Sequence, residues 1–145
     1  MIDSQELFFM SLSPSDSSLE VFQTMAQRLN QLNRINDEAA FNDLIVKREQ
    51  QGMTMIAPQI LMPHAVGSVV LKNTVLVGLF PTAQHWNQGL SVRLIVMLAT
   101  PNASAAQTDP QLMALLTKLA DEQVTEKLVA QKTVSQVQLL LQKKK

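Results

Sequence analysis

Apolar residues recur along this chain at two different periods, and the period changes twice. Residues 7–12 form a short apolar run stopped by Ser13-Pro14-Ser15, which predicts a strand, and Ser15, Asp16 and Ser17 can each cap a helix behind it. In that helix Val21, Phe22, Met25, Ala26, Leu29 and Leu32 recur at three- and four-residue spacing and make one apolar stripe. A second helix opens at Asn36 or Asp37, carries Ala40, Phe41, Leu44 and Ile45 on one side, and ends near Gln51-Gly52. From Gly52 to Thr100 the helical period gives way to short apolar runs at 60–62, 69–71, 75–80 and 92–99, bounded by Pro, Gly, Asn and polar residues. These predict strands. The last two are apolar on nearly every residue, as a sheet covered on both faces requires.

Residues 101–108 read as a loop, after which the helical period returns. Asp109 caps and Pro110 opens a helix whose Leu112, Leu115, Leu116 and Leu119 form its buried stripe. Asp121 and Glu122 open another, with Val124, Leu128 and Val129. The spacing Thr133-Val134-Ser135-Gln136 is that of a capping box, and Val134, Val137, Leu140 and Leu141 give the last helix its face. Strand, two helices, several strands and three helices predict an α/β chain in three layers, α/β/α, with helices on both faces of one sheet. A length of 145 residues with 46% hydrophobic composition suits one domain over 1–145.

Charge and residue usage then remove whole classes of function. Twelve basic and 12 acidic side chains leave a formal net charge of +0, so no basic field attracts nucleic acid or anionic lipid. The closing Lys143-Lys144-Lys145 reads as a solvated helix end. With no cysteine, thiol catalysis, thiolate zinc sites and CxxC redox chemistry fall away, and with no tyrosine so does one further nucleophile. The runs at 75–80 and 94–99 are far short of the ~20 residues a membrane span needs. The first ten residues lack the pattern of a signal peptide, so a cytoplasmic setting is expected.

Two histidines remain, His64 and His85. His64 lies in Leu61-Met62-Pro63-His64-Ala65-Val66-Gly67, where an apolar strand opens into small residues and Pro63 fixes the backbone. On spacing the stretch reads first as an ordinary loop histidine, and His64 is also the one ready nucleophile this chain has near neutral pH. Arg48 follows Leu44 and Ile45 at four and three residues and so continues their stripe. Its head either snorkels from the last helical turn or clamps an anion. His85, beside Trp86 and the turn-like Asn87-Gln88-Gly89, reads as an exposed loop histidine. Met53, Met55 and Met62 read as core filler. Neither histidine belongs to an HxxxH or HExxH pattern, and no Walker loop, GxGxxG or GxSxG is present, so no metal and no nucleotide cofactor is expected.

Residues 41–67 read Phe-x-x-Leu-x-x-x-Arg-Glu ahead of a strand ending Ile60-Leu61-Met62-Pro63-His64-Ala65. This resembles the mannitol/fructose-type enzyme IIA domain of the bacterial sugar phosphotransferase system, in which a helix ending Arg-Glu and a glycine-rich turn precede a Pro-His strand end. The stretch from Leu90 to Ala99 is similar to a strand of that family, and Leu115-Leu116-Thr117-Lys118-Leu119-Ala120 to one of its helices. Two departures stand out. Leu112 occupies the place of a second family histidine, and Gly52-Met53-Thr54-Met55-Ile56-Ala57-Pro58 replaces the glycine-rich turn.

The resemblance implies a phosphotransferase/anion-transport-protein-like fold with a mixed central sheet. It implies that His64 accepts a phosphoryl group from the carrier HPr and passes it to an enzyme IIB, with Arg48 stabilising the phosphoryl oxygens and no cofactor involved. A regulatory enzyme IIA-like domain of a sugar-operon regulator or antiterminator, in which phosphorylation of His64 is a signal, is the alternative. In a neutral chain, docking of such partners is expected on apolar side chains around the histidine, namely Met62, Ala65 and Val66. Neither direct nucleic-acid contact nor membrane insertion is expected.

Overall fold

The computed structural model describes residues 6–15, 17–52, 54–86 and 89–142. Residues 1–5, Asp16, Met53, Asn87, Gln88 and the terminal lysines lie outside the described residues. The chain runs β1 (Leu7–Ser11), α1 (Ser18–Gln31), α2 (Glu38–Gln50), β2 (Met55–Ala57), β3 (Gln59–Leu61), β4 (His64–Val66), β5 (Thr74–Trp86), β6 (Leu90–Thr100), α3 (Ala103–Gln107), α4 (Pro110–Leu119), α5 (Glu122–Val129) and α6 (Val134–Gln142). The helices start where short polar side chains can accept the first free N–H groups, from Ser17, Asp37, Asp109 and Asp121. The capping box closes reciprocally: Gln136 N–H donates to Thr133 Oγ1 at 3.2 Å, and Thr133 N–H donates to Gln136 Oε1 at 3.2 Å.

Six strands form one mixed sheet in the order β1-β5-β6-β3-β2, with β4 also paired to β6. β1 runs parallel to β5, β5 antiparallel to β6, and both β3 and β4 parallel to β6. The near-continuous apolar runs of β5 and β6 serve two cores at once, because alternate side chains point to opposite faces. Leu76, Phe80, Ile95, Met97 and Ala99 pack with Phe22, Met25, Leu29, Phe41 and Ile45 of α1 and α2. Val75, Val77, Leu79, Leu94, Val96 and Leu98 pack with Leu112, Leu115 and Leu119 of α4, Leu128 of α5, and Val137 and Leu141 of α6. The fold is therefore a three-layer α/β/α arrangement around a mixed sheet.

Three local expectations are corrected. The apolar run at 69–71 is not a sheet strand. Asn36 N–H donates to the Val69 carbonyl and Leu71 N–H to the Arg34 carbonyl, so the run folds against the α1–α2 connection and leaves one isolated bridge, Ile35 to Val70. The expected loop at 101–108 holds the short helix α3, capped by Asn102, whose side chain accepts from Ala105 N–H at 2.8 Å. β5 also runs on to Trp86, so His85 stands in a strand, opposite Ser91.

β3 and β4 occupy one lane of the sheet. Leu61 pairs with Ile95 and His64 with Leu98, a step of three residues on each strand, so the register survives the break between them. The break is Pro63, which has no N–H to give to a ladder. Its carbonyl still accepts from Leu98 N–H at 2.9 Å, while Met62 N–H turns the other way, to the Thr54 carbonyl at 2.8 Å.

Candidate functional site

Register places His64 across the sheet in one row with Leu98, Val75 and Leu7. Those three apolar side chains belong to the core under α4–α6, so the imidazole lies on that face of the sheet. β2 pairs only with β3 and has ended by this level, which leaves His64 half-buried in an outer lane. Its Nε2 is buried and has no hydrogen-bond partner among the described residues. Burial first, and the positive charge of Arg48 second, hold its pKa below the ordinary imidazole value. A histidine so placed is neutral at physiological pH and keeps a ring lone pair for nucleophilic attack.

Arg48 is not on the buried stripe of α2. The inward positions are Phe41, Ile45 and Glu49, four residues apart, while Leu44 is half-buried and Arg48 is exposed. One residue on a helix turns the side chain by about 100°, and that step separates the exposed arginine from the buried glutamate. The guanidinium folds back over the helix end, where Nη1 donates to the Gly52 carbonyl at 3.2 Å. From there its charge acts on both His64 and Glu49.

Glu49 is the residue that the sequence reading missed, although its spacing of four and eight from Ile45 and Phe41 marks it. Only 9% exposed, its carboxylate accepts Thr54 N–H at 3.3 Å on Oε1 and Thr54 O–H at 2.7 Å on Oε2. Burial raises its pKa above the ordinary carboxylate value, against the opposing pull of both Thr54 hydrogen bonds and of Arg48. The Gly52 N–H donates to the Glu49 carbonyl at 3.1 Å, and Gly52 takes a φ of 138°, open to glycine alone among common residues. Gln59, where the chain enters β3, has a φ of 67° and is held left-handed without that freedom.

The other predicted positions separate. Ala65, expected on a docking surface, is 2% exposed and packs into the core beneath α1 and α2, since it follows His64 and so faces the opposite side of the sheet. Val66 is 41% exposed, and Met62 is half-buried against the other core. Leu112 is a buried core residue in the first turn of α4. His85 is exposed at the far end of β5, opposite Ser91 and so seven residues, roughly 23 Å, along β6 from the level of His64. Among these positions the charge of Arg48 acts on both Glu49 and His64, while His85 stands apart. No helix among the described residues is long and apolar enough to cross a membrane.

The sequence matches the family described as phosphoenolpyruvate-dependent sugar phosphotransferase system, EIIA 2, over residues 3–144. It is 30% identical over 110 residues to the 2-O-alpha-mannosyl-D-glycerate-specific EIIABC component of the phosphotransferase system from Escherichia coli (strain K12), a match covering 72% of this chain and 17% of that protein's length. The fold is similar to that of enzyme IIA mannitol from Escherichia coli in its complex with phosphorylated enzyme IIB mannitol, with a TM-score of 0.72, 21% identity, and 97% and 96% of the two chains covered. It is also similar to that of the nitrogen regulatory protein IIA-Ntr from Neisseria meningitidis, with a TM-score of 0.68, 19% identity, and 95% and 93% covered.

Proposed function

Since the chain belongs to the EIIA 2 family of the phosphoenolpyruvate-dependent sugar phosphotransferase system, we propose that it is a phosphohistidine carrier whose acceptor is His64. In this reading the neutral imidazole attacks the phosphorus of a phosphohistidine on an HPr-type protein. The new N–P bond forms as the old one breaks, and the donor imidazole leaves with the electron pair. A cysteine thiolate of an enzyme IIB later takes the phosphoryl group from His64 in the same in-line manner. Such a transfer needs alignment and neutralisation of the equatorial oxygens more than covalent chemistry by the protein. Arg48 supplies the charge: Nη1 holds the Gly52 carbonyl, which anchors the guanidinium at one corner and leaves its other donors for phosphoryl oxygens.

The observation that carries this reading is the environment of His64: half-buried, biased to the neutral form, with Nε2 lacking a partner among the described residues and within reach of the charge of Arg48. Val66, exposed and apolar two residues on, with the half-buried Met62, offers a partner the nearest docking surface. The reading places the domain in the cytoplasm, where the phosphoryl donors are. A second reading is a regulatory enzyme IIA-like domain, with phospho-His64 as a signal to a sugar-operon regulator or antiterminator. Leu112, buried where the family has a second histidine, favours it.

Intact-mass spectrometry after incubation with enzyme I, HPr and phosphoenolpyruvate tests both. One phosphoryl group on the wild type and none on His64→Ala is the expected result. Equal labelling of the two proteins, or of neither, overturns the acceptor assignment. Loss of the label to an added enzyme IIB supports the carrier, and retention supports the signal.

A further inference from the structure

Glu49 has no role in the chemistry just described, yet an ionisable group is a costly residue for α2 to place on its inner face. The two positions before it in the buried series are Phe41 and Ile45. An ionisable group continuing that series must be hydrogen-bonded or paired to be tolerated, and an apolar side chain there would be simpler for stability. The carboxylate meets the requirement at a single residue, accepting both the N–H and the O–H of Thr54.

Thr54 and Gly52 connect that carboxylate to both functional side chains. Thr54 gives its carbonyl to Met62 N–H at 2.8 Å, and Met62 leads directly into Pro63 and His64. Gly52 gives its carbonyl to Arg48 Nη1 at 3.2 Å and its N–H to the Glu49 carbonyl at 3.1 Å. The segment that anchors the arginine is therefore the segment that anchors the strand bearing the histidine, and Glu49 fastens it to the end of α2. Building on the phosphoryl-carrier reading, we propose that Glu49 is a positioning residue for phosphoryl transfer, holding Gly52 and Thr54 so that Arg48 and His64 keep one relative placement.

Phosphoryl transfer tolerates little misplacement: a shift of about 1 Å can lower a rate by about 100-fold. Glu49→Ala should therefore lower the maximal rate of His64 phosphorylation by about 10- to 100-fold, with the KM for phospho-HPr nearly unchanged, because no docking side chain is altered. Glu49→Gln should restore most of that rate. Its amide oxygen can accept Thr54 N–H, and its NH2 can donate to Thr54 Oγ1, so position is kept while charge is lost. Thr54→Val, which removes one of the two bonds and leaves Glu49 in place, should fall between Glu49→Ala and the wild type.

The experiment measures rate against phospho-HPr concentration for the four proteins, with thermal unfolding of each to establish that it is folded at the assay temperature. A folded Glu49→Ala at the wild-type maximal rate overturns the proposal, as does a Glu49→Gln as slow as Glu49→Ala or a loss confined to KM. Should Glu49→Ala fail to fold, Thr54→Val decides, and a wild-type rate in that variant overturns it. A labelled wild type with indifferent variants sinks this inference alone. An unlabelled wild type sinks the carrier reading and this one with it.

Discussion

At the scale of single residues, the site holds two ionisable groups displaced toward their neutral forms, and they act on stability in opposite directions. The pKa of His64 is lowered, first by burial and then by Arg48. Above the unfolded value of about 6.5 both states are neutral, and its contribution to stability is fully present. As pH falls through 6.5 toward the folded value, the unfolded chain takes up a proton that the native one refuses, and stability is lost across that window. Glu49, with its pKa raised chiefly by burial, contributes most below the unfolded carboxylate value and loses that contribution as pH rises through its folded value. Comparing His64→Gln with the wild type isolates the imidazole. Urea midpoints taken from pH 7.5 down to 5 should fall less in the variant than in the wild type. Parallel curves would show that folding leaves the histidine's proton affinity unchanged.

At the scale of elements, most of this fold is legible because its signals are periodic or local. The α1 stripe of Val21, Phe22, Met25, Ala26 and Leu29 is buried as spacing demands, and the capping box at Thr133 and Gln136 forms both its bonds. What escaped reading is what depends on partners distant in sequence. β2 and β4 have three residues each, too few to show a period, and exist because β3 and β6 offer free ladders. Arg48 and Glu49 exchanged places because a stripe sampled at Leu44 and Ile45 leaves its centre open by one residue, and packing chose the line through Phe41 and Ile45. His64 was singled out by residue type and its Pro63 neighbour, whereas its place in an outer lane of the sheet required the strand order.

The turn between β2 and β3 carries an elemental prediction of its own. Gln59 holds a φ of 67°, a conformation costing a side-chain-bearing residue about 1–2 kcal/mol. Glycine adopts it freely but loses about 0.5–1 kcal/mol of backbone entropy on folding. Gln59→Gly should therefore stabilise the protein by up to about 1 kcal/mol, read as a higher urea midpoint at unchanged m-value. A lower midpoint would mean that the glutamine side chain makes contacts worth more than the strain.

At the scale of the whole molecule, two cores share one sheet, and His64 lies at the edge of one while a close approach at Gly78 lies inside the other. Gly78 occupies β5 between Leu76 and Phe80, on the face covered by α1 and α2. A Cβ there would stand 2.6 Å from Leu12 Cδ1 and 2.9 Å from its Cγ. Leu12 has little room to yield, being 4% exposed and tied by its N–H to the Leu79 carbonyl at 2.8 Å. Overpacking of this kind costs about 1–3 kcal/mol, while replacing glycine by alanine recovers about 0.4–1 kcal/mol through the unfolded chain. Gly78→Ala should thus destabilise by about 1–2 kcal/mol and lower Tm by several degrees. Leu12→Ala alone leaves a cavity and should cost about 2–5 kcal/mol. Combined, the two should cost clearly less than their sum, because the added methyl fills space that the shortened side chain vacates. Phosphorylation of His64, measured well below Tm, should be unaffected by Gly78→Ala, since the imidazole lies two lanes away on the opposite face. Strict additivity in the double variant would show that Leu12 and Gly78 do not meet, and a slowed phosphorylation in Gly78→Ala would show that the two cores are mechanically coupled through the sheet.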